Sequence, residues 1–125
     1  MSLFPSPTLK MLEIVKGDSV TYRLPFTQDG VAYDLSTVAG IWFTLKNSTG
    51  DADAAAVVQL SLGAGIEVFD AEAGEANADF TYTQTNLLAV GRVYLYDVQI
   101  KTAAGQLFTA LSGRMIARSP MTLAV

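Results

Sequence analysis

Residues 93–101 read Val93-Tyr94-Leu95-Tyr96-Asp97-Val98-Gln99-Ile100-Lys101. Tyr94, Tyr96, Val98 and Ile100 fall on one side of an extended chain, and Val93, Leu95, Asp97, Gln99 and Lys101 on the other. Side chains of a strand alternate between faces, so this period of two predicts a β-strand with one face in a core. Just upstream, Leu88-x-x-Gly91-x-x-Tyr94 sets a Leu, a Gly and a Tyr at the entry to that strand. The spacing fits a tyrosine corner, whose phenol hydroxyl bonds back to the backbone of a crossing connection. The plainer reading makes Tyr94 one more inward residue.

The same period continues outward in both directions. Val20, Tyr22, Leu24 and Phe26 share a face, as do Ile41, Phe43 and Leu45, then Val58, Leu60 and Leu62, then Ala78, Phe80 and Tyr82. Gly17-Asp18, Asp29-Gly30, Gly50-Asp51, Gly63-Ala64-Gly65, Ala73-Gly74 and Ala104-Gly105 punctuate these runs with residues suited to turns. Strands are expected near 11–16, 19–26, 31–34, 39–47, 56–62, 66–70, 76–83, 92–102, 105–112 and 114–123. Only 84–90 reads as helical, with Thr83 or Thr85 as its cap. The predicted fold is all-β: an immunoglobulin-like antiparallel β-sandwich with at most one short helix. One sandwich domain is expected over 11–125, preceded by an extended arm over 1–10 that Pro5 and Pro7 stiffen.

Composition excludes whole classes of chemistry. The 125 residues contain no Cys and no His, while half are hydrophobic and 16% charged. A chain of this size and hydrophobicity can bury its own core without disulfides. Absent thiols and imidazoles remove iron–sulfur clusters, thiolate zinc sites, cysteine nucleophiles and the commonest general base. Eight basic residues are scattered against twelve acidic ones, which argues against a nucleic-acid interface. No apolar stretch approaches the ~20 residues of a membrane span. The opening residues also lack the pattern of a signal peptide.

Few residues stand out as chemical candidates. Asp51, Asp53, Asp70, Glu72 and Glu75 cluster in two loops that could offer oxygens to calcium, but neither has a recognised calcium-loop spacing, and solvated turns are the preferred reading. Asp97 lies mid-strand among apolar neighbours and needs solvent or a basic partner, with Arg92, Lys101, Lys46 and Arg114 as candidates. No catalytic residue, metal ligand or cofactor is expected. Trp42, the sole Trp, falls opposite Ile41 and Phe43. With Val93, Leu95 and Phe108 it would give one sheet an apolar outer face, an expected interface to which Leu3 and Phe4 of the arm contribute.

The order of these elements resembles small bacteriophage and prophage tail proteins, including the N-terminal domain of baseplate upper proteins. The matching residues are Gly17-Asp18 leading into Ser19-Val20-Thr21-Tyr22-Arg23, then Asp29-Gly30, Asp34-Leu35-Ser36 and Ile41-Trp42-Phe43-Thr44-Leu45-Lys46. Gly65-Ile66, Gly74, the Leu88–Ile100 block, Gly105 and Gly113-Arg114 follow. The resemblance spans about 11–123. It implies an immunoglobulin-like scaffold without enzymatic activity that joins tail or baseplate components, often as a ring or trimer. The expected partners are then other virion proteins and copies of the chain itself, and the expected location is the virion, assembled in the bacterial cytoplasm. The alternative from another class is a carbohydrate-binding or host-surface adhesion module, for which a groove uniting Trp42 with two further exposed aromatics would speak.

Overall fold

The computed structural model describes residues 12–28, 30–47 and 56–119. The strands are β1 (Leu12–Val15), β2 (Val20–Pro25), β3 (Thr27–Gln28), β4 (Val31–Ala32), β5 (Gly40–Lys46), β6 (Val58–Leu62), β7 (Gly65–Asp70), β8 (Glu75–Phe80), β9 (Val93–Lys101) and β10 (Leu107–Arg118). Eight of them hydrogen-bond in the order β1-β10-β9-β5-β6-β7-β8-β2, and β3 with β4 forms a separate hairpin. The long sheet folds back on itself at β6–β7, where only Ser61 with Gly65 and Leu62 with Ile66 are in register. Phe43 of β5 therefore meets Phe80 of β8 edge to face, their ring centroids 5.3 Å apart, although β6 and β7 intervene in the strand order. The result is a β-sandwich, as the alternation predicts.

The core comes from the predicted inward sets. Leu24, Phe26, Ile41, Phe43, Leu45, Leu60, Ala78, Phe80, Tyr94, Tyr96, Val98 and Ile100 are all buried. Leu62 and Tyr82 leave the pattern and are exposed. Tyr82 does so because its strand stops at Phe80 and a single helical turn, α1 (Tyr82–Thr85), begins. Thr81 caps α1: its hydroxyl accepts from the Gln84 N–H, and the Gln84 side chain accepts from the Thr81 N–H. That reciprocal pair is a capping box. The expected helix over 84–90, capped by Thr83 or Thr85, is thus displaced toward the N-terminus. Thr85 is instead fully buried, its hydroxyl accepting from Gly17 N–H and donating to the Asp18 carbonyl.

Two further expectations change. Strands foreseen at 105–112 and 114–123 are one strand, β10, which runs through Gly113. The sheet is mostly antiparallel, yet β1 pairs with β10 and β6 with β7 in parallel. The tyrosine corner is present: Tyr94 is buried, and its hydroxyl accepts from the Ala89 N–H at 2.8 Å, with Leu88 buried and Gly91 at φ +83°.

Candidate functional site

Strand register decides which predicted surface residues come together. On the outer face, Trp42 lies opposite Gln99 of β9 and Ser61 of β6. Leu95 lies opposite Lys46 and Arg114, and Val93 opposite Ile116. Gln99 lies six positions beyond Val93 along β9, which is about 20 Å at ~3.3 Å per residue. The apolar face expected from Trp42, Val93 and Leu95 is therefore divided between two ends of the sheet. Phe108 does not belong to it at all. It pairs with Ile100, faces inward and packs against the core. A β-bulge between Thr109 and Leu111 is the reason: Ala110 and Leu111 are both buried, so a period of two counted back from Leu111 puts Phe108 on the wrong face. Leu3 and Phe4, the arm over 1–10, and the candidate ligands Asp51 and Asp53 lie outside the described residues.

Around Trp42 the outer face forms an open groove of about 460 Å³, lined by Trp42, Gln59, Gln99, Lys101, Gly105 and Leu107. The indole leans back along β5 over Gly40, where a Cβ would stand 2.4 Å from Cη2. Glycine at 40 is thus what leaves room for the ring. Gln59 donates from Nε2 to the Thr44 hydroxyl at 3.0 Å, which orients its amide. Lys101 and Leu107 are opposite each other where β9 and β10 leave their hairpin, both exposed. Among the described residues the groove has one aromatic, not a row of three. Gln59, Gln99, Lys101 and Leu107 carry no motif; only the pairing of β5 with β6 and β9, and of β9 with β10, places them beside Trp42.

At the other end, the segment from α1 to the start of β9 exposes several large apolar side chains: Tyr82 at 61%, Leu87 at 63%, Val90 at 51% and Val93 at 42%. The Gly91 N–H donates to the Ala117 carbonyl, which pins this segment against the end of β10. These residues lie mostly outside any strand, so no periodicity marks them.

Two of the acidic candidates, Asp70 and Glu75, make structural contacts. Asp70 Oδ1 accepts from the Ala73 N–H, closing the β7–β8 turn, and Glu75 faces Arg23 across 3.8 Å. Arg23 also lies over the exposed Phe69 ring, 3.4 Å from its centroid, a cation–π contact. Asp97 lies on the outer face between Thr44 and Ser112, with Lys46 and Arg114 as diagonal neighbours in the register. Asp34 accepts from the Ser36 N–H at 2.8 Å, and that bond holds its carboxyl below the usual carboxylate range. The Asp34-Leu35-Ser36 step is thus a local turn that drives Leu35 into the core. Among the described residues no three acidic groups converge on a metal-sized site, and no helix is long and apolar enough to cross a membrane.

No family model matches the sequence, and no curated protein matches it. Among solved structures the chain is similar to CopC from Methylosinus trichosporium OB3b. The TM-score is 0.50 and the identity 16%, over 91% of this chain and 89% of that one. The two share a fold. At this identity the likeness carries the β-sandwich and nothing about ligands or partners.

Proposed function

We propose that the protein is a non-enzymatic structural component of a phage or prophage virion, of tail or baseplate type, that acts through contacts with other virion proteins and with copies of itself. The observation that carries this reading is the exposed apolar segment Tyr82, Leu87, Val90 and Val93. Four large apolar side chains gathered in twelve residues of one connection fit a surface that another chain covers. The ordered resemblance to phage tail domains supplies the kind of partner. Two of its elements, the Asp34–Ser36 turn and the Leu88–Tyr94 corner, are built here as structural joints. The absence of His and Cys removes the commonest general base and the cysteine nucleophile, which supports a non-enzymatic role.

The docking surface in this reading is centred on Tyr82, Leu87, Val90 and Val93 rather than on Trp42. Two measurements test it. Light scattering of the purified chain should give a mass above that of one copy, and L87S/V90S should lower it while leaving the circular dichroism unchanged. Particles released on prophage induction from the bacterium that carries the gene should contain the protein in fixed proportion to other tail proteins. A monomer at high concentration that is also missing from purified particles would overturn the assignment. The alternative of a carbohydrate platform built on an aromatic row finds no row among the described residues, where Trp42 is the one aromatic lining the groove.

A further inference from the structure

We infer that the Trp42 groove is a subsite for one sugar ring, and that the ring it takes carries a carboxylate. The inference uses the opposite end of the sheet from the proposed docking surface and stands apart from the virion reading. Three features carry it. First, the groove joins an indole and Leu107 to two amides and one ammonium group. An apolar wall with a few placed polar groups suits a ligand with a C–H face and a hydroxylated rim, which is the chemistry of a pyranose. Second, the parts are held. Gly40 seats the indole, and the Thr44 hydroxyl takes a donor hydrogen of Gln59, leaving the Gln59 carbonyl oxygen to accept from a ligand hydroxyl. Gln99, opposite Trp42 on β9, offers a second amide. Third, among the described residues Lys101 is the one charged side chain lining the groove, so an acidic substituent is matched there and a cationic one is opposed. The volume of about 460 Å³ lies within the range of small-ligand sites, ~300–1,000 Å³, and the open form suits a terminal or branching residue.

Trp42 is the sole tryptophan and so reports on its own site. The full chain would be titrated with glucuronate, galacturonate, glucose and galactose, following Trp emission and saturation-transfer NMR. Uronates should shift the emission and saturate. The neutral hexoses should bind at least about five-fold more weakly, and added salt should narrow that gap. W42A should abolish the NMR transfer, and K101M should erase the preference for uronates while retaining weak binding. Q59A, on the exposed outer face, should weaken binding about ten-fold and gives a second variant should W42A prove poorly folded. Emission unchanged by every sugar, equal binding of neutral and acidic sugars, or uronate binding at the parent's strength in both W42A and Q59A would overturn the inference.

Discussion

Tyr94 and Tyr96 sit two residues apart on the same inward face of β9, and their hydroxyls have opposite circumstances. Tyr94 accepts the Ala89 N–H and so fastens the crossing connection to the strand it enters. Tyr96 stacks on Phe43 with ring centroids 5.0 Å apart, and its hydroxyl is buried without a partner among the described residues. Gly113, its cross-strand neighbour, makes room for it: a Cβ there would stand 2.8 Å from the Tyr96 hydroxyl. The same substitution should therefore have opposite effects at the two sites. Tyr94→Phe removes a made hydrogen bond and should cost about 1 kcal/mol. Tyr96→Phe removes a buried polar group that gains nothing and should leave stability unchanged or raise it by about 1 kcal/mol. Urea unfolding of the two variants checks the pair, and equal destabilisation of both would contradict the hydrogen-bond assignment.

At the scale of elements, the joints matter more than the strands. The β3–β4 hairpin is too short to hold itself, and backbone bonds dock it on the β7–β8 turn. The Phe26 N–H donates to the Gly74 carbonyl, Tyr33 N–H to the Phe26 carbonyl, and Leu35 N–H to the Ala71 carbonyl. Gly74 is the tight point, with φ +70° and a virtual Cβ 2.5 Å from the Phe26 carbonyl oxygen and 2.7 Å from that of Tyr33. Gly74→Ala combines left-handed strain with a backbone collision that no rotamer relieves. It should destabilise by at least about 2 kcal/mol, seen as a lowered urea midpoint. Gly30→Ala, also at positive φ but with nothing near its virtual Cβ, should cost only about 1 kcal/mol, which isolates the collision from the strain.

For the whole molecule, the two ends of the strand order are tied together. β1 and β2 are the outermost strands, yet the Tyr22 hydroxyl of β2 donates to the Glu13 carbonyl of β1. Thr85 clamps the Gly17-Asp18 turn between them. The exposed Glu13–Arg118 pair at 2.7 Å adds little beside this closure. Burial, helped by the Tyr96 phenol and the Glu13 carboxylate, pushes the Tyr22 phenol up to about 12, and burial alone does the same for Tyr96. In the unfolded chain both ionise near pH 10. The folded state keeps them neutral, so their contribution to stability is complete below pH 10 and is lost as pH rises through about 12. Melting temperature should stay level up to about pH 9.5 and then fall steeply, and the fall should be shallower in Y22F/Y96F. An unchanged slope in the double variant would assign alkaline unfolding to other groups.

Periodicity alone determined the all-β class and most of the core, because a half-buried strand records its burial locally in every second residue. Turn residues such as Gly17, Gly63 and Gly105 were equally legible, since positive φ is a property of one residue. What the period cannot carry is a change of phase or a choice of partner. The bulge at Ala110 turns Phe108 inward, and nothing within 105–112 announces it. Gly113 reads as a break but is a space for a tyrosine on the neighbouring strand. Thr81 takes the capping role expected of Thr83 or Thr85, while the Thr85 hydroxyl bonds to the Gly17-Asp18 turn, a partner 67 residues away in sequence. The groove lay further from reach still. Trp42, Gln59, Gln99 and Lys101 come from three strands, and they meet only when those strands pair. Side-chain alternation is a local consequence of backbone geometry, whereas a surface site depends on register between strands distant in sequence, which tertiary packing alone decides.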